Sequence, residues 1–243
     1  MNLIARARSF DRAAEAYEAA RPSYPDALLE LVPLPRRATV LDLAAGTGKL
    51  TRVLVRRYAR VLAVEPLDGM RSILEAVVPQ AESRPGSAEA IPLPDGAVDG
   101  VFAAQAFHWF ATDQAVGEIA RVLRPGGVFV DVWNETVDPS PLPDGYRERV
   151  EAFFDSAPKT GVTLEDRADA VARGPFGDPQ HALVRHEQRQ SRAAVLEHLS
   201  SVSAVAHLPV EEGAALLAEL GALLPEGEYV FHIEANARWA VRL

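Results

Sequence analysis

The sequence predicts an α/β protein built on a doubly wound, mostly parallel sheet. Between Thr39 and Val132, apolar runs of strand length alternate with segments whose apolar residues recur at helical spacing. That alternation packs as parallel strands with helices on both faces, joined by right-handed crossovers. The first strand runs straight into a turn of small residues and then a helix, an arrangement that lets backbone approach a ligand closely. The 243 residues, 48% of them hydrophobic, suffice for one elaborated domain or a domain with a small cap.

Phe10, Ala13, Ala14 and Tyr17 follow i, i+3, i+4, i+7 and predict an amphipathic helix, which Pro22 ends. Pro25 opens the next helix, through Ala27, Leu28 and Leu31. The first strand is Thr39 to Leu43, and the helix after the small-residue turn carries Leu50, Val53, Leu54 and Arg57. The second strand is Val61 to Glu65. Asp68 is placed to cap a helix with Met70, Ile73, Leu74 and Val77. The third strand falls near Ala81 to Pro85, where Pro85 and polar neighbours leave little pattern, and the fourth is Val98 to Ala104. Thr112 caps a helix with Val116, Ile119, Ala120 and Leu123 on one face. Pro125-Gly126-Gly127 stops it, and Val128 to Val132 is the fifth strand.

After Trp133 the rhythm breaks. Pro139, Pro141 and Pro143 with Gly145 form a stiff connection, and Tyr146 to Phe154 reads as a helix. Ala157 to Gln180, rich in Gly and Pro, shows no readable periodicity. Leu183 to Gln190 is a candidate strand, Arg192–Ala204 and Glu211–Leu223 candidate helices, and Tyr229 to Leu243 a last strand.

Net charge is −9, from 34 acidic and 25 basic residues, which argues against a duplex nucleic-acid partner. Arg52, Arg56 and Arg60 are spaced i, i+4, i+8 and read as a solvated helix face. The absence of cysteine excludes disulfides, thiolate catalysis and zinc–thiolate sites. His181 and His186 are not at ligand spacing, so no metal is expected. The N-terminal residues lack a signal-peptide core, and no apolar run reaches the ~18 residues of a membrane span. The expectation is a cytoplasmic protein with no membrane partner, as a monomer or homodimer.

The chemistry concentrates at Val40-Leu41-Asp42-Leu43-Ala44-Ala45-Gly46-Thr47-Gly48-Lys49-Leu50. Glu65 follows Gly46 by 19 residues and ends the second strand, where a carboxylate can accept from ribose hydroxyls. Together they describe a nucleoside site at the carboxyl ends of parallel strands. Nicotinamide enzymes use G-x-G-x-x-G there; their third glycine would fall at Thr51, whose branched Cβ disfavours that reading.

The loop resembles motif I of the class I S-adenosylmethionine-dependent methyltransferases, Asp/Glu-x-Gly-x-Gly-x-Gly, with Ala44 in place of the first glycine. Glu65-Pro66 with Asp68 and Met70 resembles the family's next acidic motif. Gly86-Ser87-Ala88-Glu89-Ala90-Ile91-Pro92-Leu93-Pro94 resembles its adenine-binding stretch. Asp99 to Ala106 resembles its fourth strand, and Arg121 to Phe129 its helix, turn and fifth strand. The subgroup resembled is the methyltransferase type 11 domain. Phe10-Asp11-x5-Tyr17-x3-Arg21-Pro22-x-Tyr24-Pro25 and Phe107-His108-Trp109-Phe110 are similar to its small-molecule branch, including trans-aconitate methyltransferase-like proteins.

The resemblance implies a Rossmann-like seven-stranded sheet with an antiparallel last strand and an α-rich cap. As one domain over residues 1–243, the core would be about 26–135 and 226–243, a lid helix about 8–25 and a cap insertion about 136–225, the last two roofing the pocket. It also implies S-adenosyl-L-methionine as cofactor. Ala44, Gly46 and Gly48 would approach its methionyl and ribose portion, Asp42 would hold the loop or reach the ammonium group through water, and Glu65 would take the ribose diol. Pro66, Met70, Ser87, Ala88 and Glu89 fall in the adenine motifs, and Gln105 at the methionyl portion. Acceptor candidates are Tyr17, Arg21, Tyr24, Trp109, Trp133 and Asn134, with Arg21 as a bidentate carboxylate ligand and His108 as base or orienting donor. The acceptor expected is a small molecule, a carboxylic acid or a hydroxyl compound. Two other readings stay open: a cofactor-binding protein without transfer, and a nicotinamide-dependent oxidoreductase.

Overall fold

The computed structural model describes residues 14–137, 140–156 and 162–243. Phe10, Asp11, Ala13 and Pro139 lie outside them. The described elements are α1 (Ala14–Ala20), α2 (Asp26–Glu30), β1 (Thr39–Leu43), α3 (Thr51–Arg57), β2 (Arg60–Val64), α4 (Asp68–Val77), β3 (Glu82–Arg84), β4 (Val98–Ala104), a 3₁₀ turn at Phe107–Trp109, α5 (Asp113–Val122), β5 (Leu123–Val137), α6 (Asp144–Ser156), α7 (Leu164–Ala172), β6 (Gln180–Ser191), α8 (Arg192–Ser200), α9 (Ser203–Ala206), α10 (Val210–Leu223) and β7 (Glu228–Val241). None of the described helices is long and apolar enough to cross a membrane.

Seven strands form one sheet in the order β3-β2-β1-β4-β5-β7-β6. β3, β2, β1, β4 and β5 run parallel; the last strands are antiparallel. From β1 the chain winds out through β2 to β3, then crosses back to β4 on the other side of β1. The β1/β4 boundary is therefore the switch point, and ligands of such sheets bind in the crevice at its carboxyl ends.

Both faces of the central strands are covered, which is why β1, β2 and β4 read as continuous apolar runs. Leu41, Leu43, Val101, Ala103 and Phe129 pack with Ile119 of α5 and Ala170 of α7. Their neighbours Val40, Phe102, Val128 and Val130 pack into a second cluster with Leu28 and Leu29 of α2 and Val53 and Leu54 of α3. Thr112 caps α5 by accepting from the Ala115 N–H.

Several elements differ from expectation. Asp68 is the first residue of α4; the cap position is Leu67, without a side-chain cap. Asp68 serves the helix dipole from the first turn instead. Arg60 opens β2 and pairs with Glu82 while Arg56 pairs with Asp26, so Arg52, Arg56 and Arg60 do not share one helix face. Pro125-Gly126-Gly127 ends α5 but lies within β5, with Gly126 at φ 77 and the β4 register shifting between Val98 and Gly100.

The chain divides into two units. One holds the described residues within Met1–Pro22, Thr136–Thr160 and Arg185–Ile233; the other is Ser23–Glu135, Gly161–Val184 and Glu234–Leu243. The first is helix-rich, with Tyr146, Val195, Leu199, Leu216 and Leu220 at its core. The second contains the parallel strands. The segment 161–184, expected in the cap, belongs to this sheet unit. It contains α7, started by a capping box in which Thr163 Oγ1 accepts from the Asp166 N–H and the Asp166 carboxylate accepts from the Thr163 N–H.

Candidate functional site

The small-residue loop leaves β1 at the switch point in left-handed backbone: Ala44 at φ 56, Gly46 at φ 57 and Gly48 at φ 87. Ala45 N–H donates to Val64 O at 3.2 Å, tying the loop to β2, and Gly48 N–H donates to Ala45 O at 2.9 Å. The two glycines differ in surroundings. A Cβ on Gly48 would lie 3.1 Å from Val78 Cγ2 and 3.2 Å from Leu74 Cγ, whereas one on Gly46 would meet no atom within 4 Å.

Glu65 is only 4% exposed at the end of β2. Its Oε2 accepts from the Gly46 N–H at 2.8 Å and its Oε1 from the Leu67 N–H at 2.9 Å. One carboxylate thus clasps the glycine loop and the start of the next loop. Behind it, Asp42 is buried and its Oδ2 accepts from the Thr51 hydroxyl at 2.6 Å. Asp42 Oδ1 has no partner among the described residues. Burial pushes the Asp42 carboxyl up to about 7, the nearby Glu65 charge adds to the rise, and the Thr51 hydrogen bond opposes it. Thr51 is therefore more than a poor third glycine: it is the donor that makes Asp42 tolerable in the core.

The remaining predicted cofactor residues surround this clasp unequally. Met70 is buried and Pro66 exposed. Ser87 to Ala90 close a tight turn, with Ala88 buried and the Glu89 carbonyl accepting from Gln114 Nε2 at 3.2 Å. Gly86 brings that turn against β2, since a Cβ there would lie 3.1 Å from Val64 Cγ1, the residue before Glu65. Gln105 follows β4 in left-handed backbone at φ 52. Its Nε2 donates to the Asn134 carbonyl at 2.9 Å, linking the β4 and β5 ends.

The acceptor candidates do not form one cluster. Arg21 donates from Nε to Ser201 Oγ at 3.0 Å and from Nη2 to Ser201 O at 3.2 Å, and its guanidinium lies 5.2 Å from the Tyr17 ring centroid. Both residues belong to the helix-rich unit, where this pairing takes up donors that a bidentate carboxylate would need. Tyr24 is buried in the core against α2 and α3, a packing position. Asn134 Nδ2 donates to Ser23 O at 3.1 Å, and its Oδ1 is buried without a partner. Trp109 packs against the sheet core beside His108, ring centroids 5.0 Å apart.

His108 is held neutral: burial, then the Arg167 charge, pushes it down to about 4. A base that weak is poorly matched to proton abstraction near neutral pH, so an orienting role suits it better. Trp133 stacks on His181 at 6.0 Å, with the Arg167 and Arg238 guanidiniums 5.1 and 5.9 Å from its ring centroid. Arg167 Nη1 donates to Asp131 Oδ2 at 2.7 Å. Asp131, Arg167 and Arg238 carry no motif signal and emerge only from the fold; Thr51 had one sign, its place nine residues after Asp42 at the helix start.

Comparison with known proteins follows the same residues. The methyltransferase domain family matches residues 41–131. A Mycobacterium tuberculosis protein named as an uncharacterized methyltransferase is 51% identical over 127 residues, 52% of each chain. The chain thus spans about half the length of the mycobacterial relatives it matches. A methyltransferase-like protein of Schizosaccharomyces pombe is 40% identical over 213 residues, 84% of this chain and 81% of its own. A solved structure from Anaeromyxobacter dehalogenans, provisionally assigned as a type II methyltransferase, superposes with a TM-score of 0.69 at 29% identity, over 91% of this chain and 97% of that one. These likenesses give the nicotinamide alternative no support. A likeness this deep along 84% of the length, with a family match over 41–131 that takes in the loop Glu65 clasps, means that the chain belongs to the class I S-adenosylmethionine-dependent methyltransferases, in the type 11 domain group.

Proposed function

We propose that the protein transfers a methyl group from S-adenosylmethionine to a small-molecule acceptor. The observation that carries this reading is the Glu65 clasp, with a carboxylate fixed beside Gly46 where a side chain would meet no atom of the described residues within 4 Å. The residues fit the cofactor. A carboxylate oxygen can accept more than one hydrogen bond, so the Glu65 oxygens that hold the Gly46 and Leu67 N–H groups suit a ribose diol as well. The orphaned Asp42 Oδ1 is an acceptor for an ammonium group, directly or through water. Met70 and Ala88 supply apolar surface for a base, and the Ser87–Ala90 turn supplies polar edges.

When bound, S-adenosylmethionine supplies a methyl carbon already activated by a positively charged sulfur. The chain's own task is then mainly to orient and to exclude water, effects that reach roughly 7–11 kcal/mol in well-oriented systems. Glu65 and the loop hold position, and Gln105 ties the β4 end to β5 through the Asn134 carbonyl. A general base adds about 10²–10⁴-fold only where the acceptor must lose a proton. Neutral His108 serves as an orienting hydrogen-bond partner. The net charge of −9 favours a small molecule over nucleic acid as acceptor.

Calorimetric titration with S-adenosylhomocysteine and, separately, NADH tests the cofactor assignment. Saturable binding of the adenosyl ligand, weakened in Glu65→Ala and absent for NADH, is expected. Binding of NADH alone would overturn it. Transfer of labelled methyl to small acids and alcohols then separates an enzyme from a protein that only binds.

A further inference from the structure

The sheet unit holds a cavity of about 130 Å³ lined by α7, β5, β7 and the 3₁₀ turn, among them Phe107, Phe129, Asp131, Arg167, Phe176 and Arg238. An apolar cavity of about this size accommodates a benzene-sized molecule. We propose that this cavity binds the carboxylate of a small organic acid through Arg167 and Arg238, and that this acid is the methyl acceptor. The inference rests on the methyltransferase reading and names its substrate class.

Four observations support it. The first is charge: two guanidiniums face one buried carboxylate. Asp131 and Arg167 pair with side chains only 8% and 13% exposed. Arg238 stacks over Trp133 and has no hydrogen-bond partner among the described residues. The other charged group on the lining is Asp178, exposed at the rim, and His108 nearby is neutral. The second is incompleteness: Asp131 Oδ1 and Arg167 Nε are buried without partners among the described residues. An ion pair that served only to fasten α7 to β5 would be expected to satisfy those atoms, because buried unpaired polar groups are costly.

The third is shape. Arg167 and Arg238 both lie over the Trp133 ring, at 5.1 and 5.9 Å. A guanidinium stacked on an aromatic ring keeps its in-plane N–H fork for a planar carboxylate. The rest of the lining, Phe107, Phe129 and Phe176, suits a compact apolar body. The fourth is place: Asp131 pairs with Ala103, next to the last residue of β4, and Gln105 follows that strand. The Asp131 edge of the cavity therefore lies toward the carboxyl end of the sheet, the end that carries the glycine loop.

The test is calorimetric titration of the full chain, saturated with S-adenosylhomocysteine, with acetate, trans-2-butenoate and benzoate, each against its amide. At least one acid should bind tenfold or more tightly than its amide. Arg238→Gln should weaken that acid about 10–100-fold, the usual range for a lost charged hydrogen bond, and leave S-adenosylhomocysteine affinity unchanged. Arg238→Lys should recover only part, since an ammonium lacks the planar fork. Arg238 is partly exposed and outside the Asp131 pair, so its variants should melt near wild type. Equal binding of acids and amides, no acid binding, or an Arg238→Gln protein with unchanged acid affinity would overturn the proposal. Acid binding without S-adenosylhomocysteine binding would sink the methyltransferase reading and leave an anion pocket standing.

Discussion

Gly46 and Gly48 are two residues apart and equally left-handed, yet the structure gives them different work, which one pair of substitutions separates. An Ala at a left-handed position costs about 1–2 kcal/mol. Loss of glycine's freedom in the unfolded chain returns about 0.4–1 kcal/mol. Gly46→Ala therefore costs the fold roughly 0.5–1 kcal/mol net, since its Cβ touches nothing within 4 Å. Gly48→Ala carries the same backbone term, and its Cβ also falls 3.1 Å from Val78 and 3.2 Å from Leu74. Both neighbours are essentially fully buried, at 1% and 0% exposure, and cannot swing away. Overpacking of that kind adds about 1–3 kcal/mol, for a total near 2–4. At about 2–4 °C per kcal/mol for a chain of this size, Gly48→Ala should melt well below Gly46→Ala. Affinity should reverse the order per unit of stability lost: the Gly46 methyl enters the space beside the Glu65 carboxylate and should weaken S-adenosylhomocysteine at least tenfold. Thermal melts of the ligand-free proteins with calorimetry on the same samples decide. Equal melting losses, with Gly46→Ala binding like wild type, would refute the division into a ligand glycine and a packing glycine.

Ala44→Gly removes left-handed strain and adds unfolded-state freedom, so it should be neutral to about 1 kcal/mol stabilising by urea titration; a clear loss would contradict the strain at φ 56. Thr51→Val removes the hydroxyl donor to buried Asp42 and should cost about 1–3 kcal/mol in the same assay. Asp42 titrates near 7 folded against 3.8 as a free side chain, so the folded state binds its proton more tightly, and this contribution to stability falls as pH rises toward and through 7. His108 and His198, both pushed down to about 4, act oppositely between about 4 and somewhat above the ordinary 6.5, so they offset part of the Asp42 slope. Between about pH 5 and 8 the wild-type melting temperature should therefore fall relative to that of Asp42→Asn, which keeps the histidines but lacks the carboxyl; parallel curves would remove Asp42 as a titrating group of the fold.

What the sequence could show follows how far apart the cooperating residues lie. The glycine loop, Asp42 and Glu65 fall within one βαβ unit, so their spacing is a local signal, and the central strands announce themselves because burial on both faces makes them apolar throughout. α7 was hidden by its Gly- and Pro-rich surroundings, although Thr163-x-x-Asp166 is a capping box before Ala170 and Val171. Gln105 at φ 52 gave no sign, because a long polar side chain has no intrinsic left-handed preference. Arg21 is a related case: its partner Ser201 lies 180 residues away, and nothing beside Arg21 in the sequence reveals that pairing. The cavity arginines are the extreme case. Arg167 reaches Asp131 across 36 residues, and Arg238 joins them only because β7 lies beside β5 in the sheet. In a chain with 23 arginines no single one stands out by type. What distinguishes Arg167 and Arg238 is a shared tryptophan face and a carboxylate with one oxygen unpaired, both created by the pairing of strands.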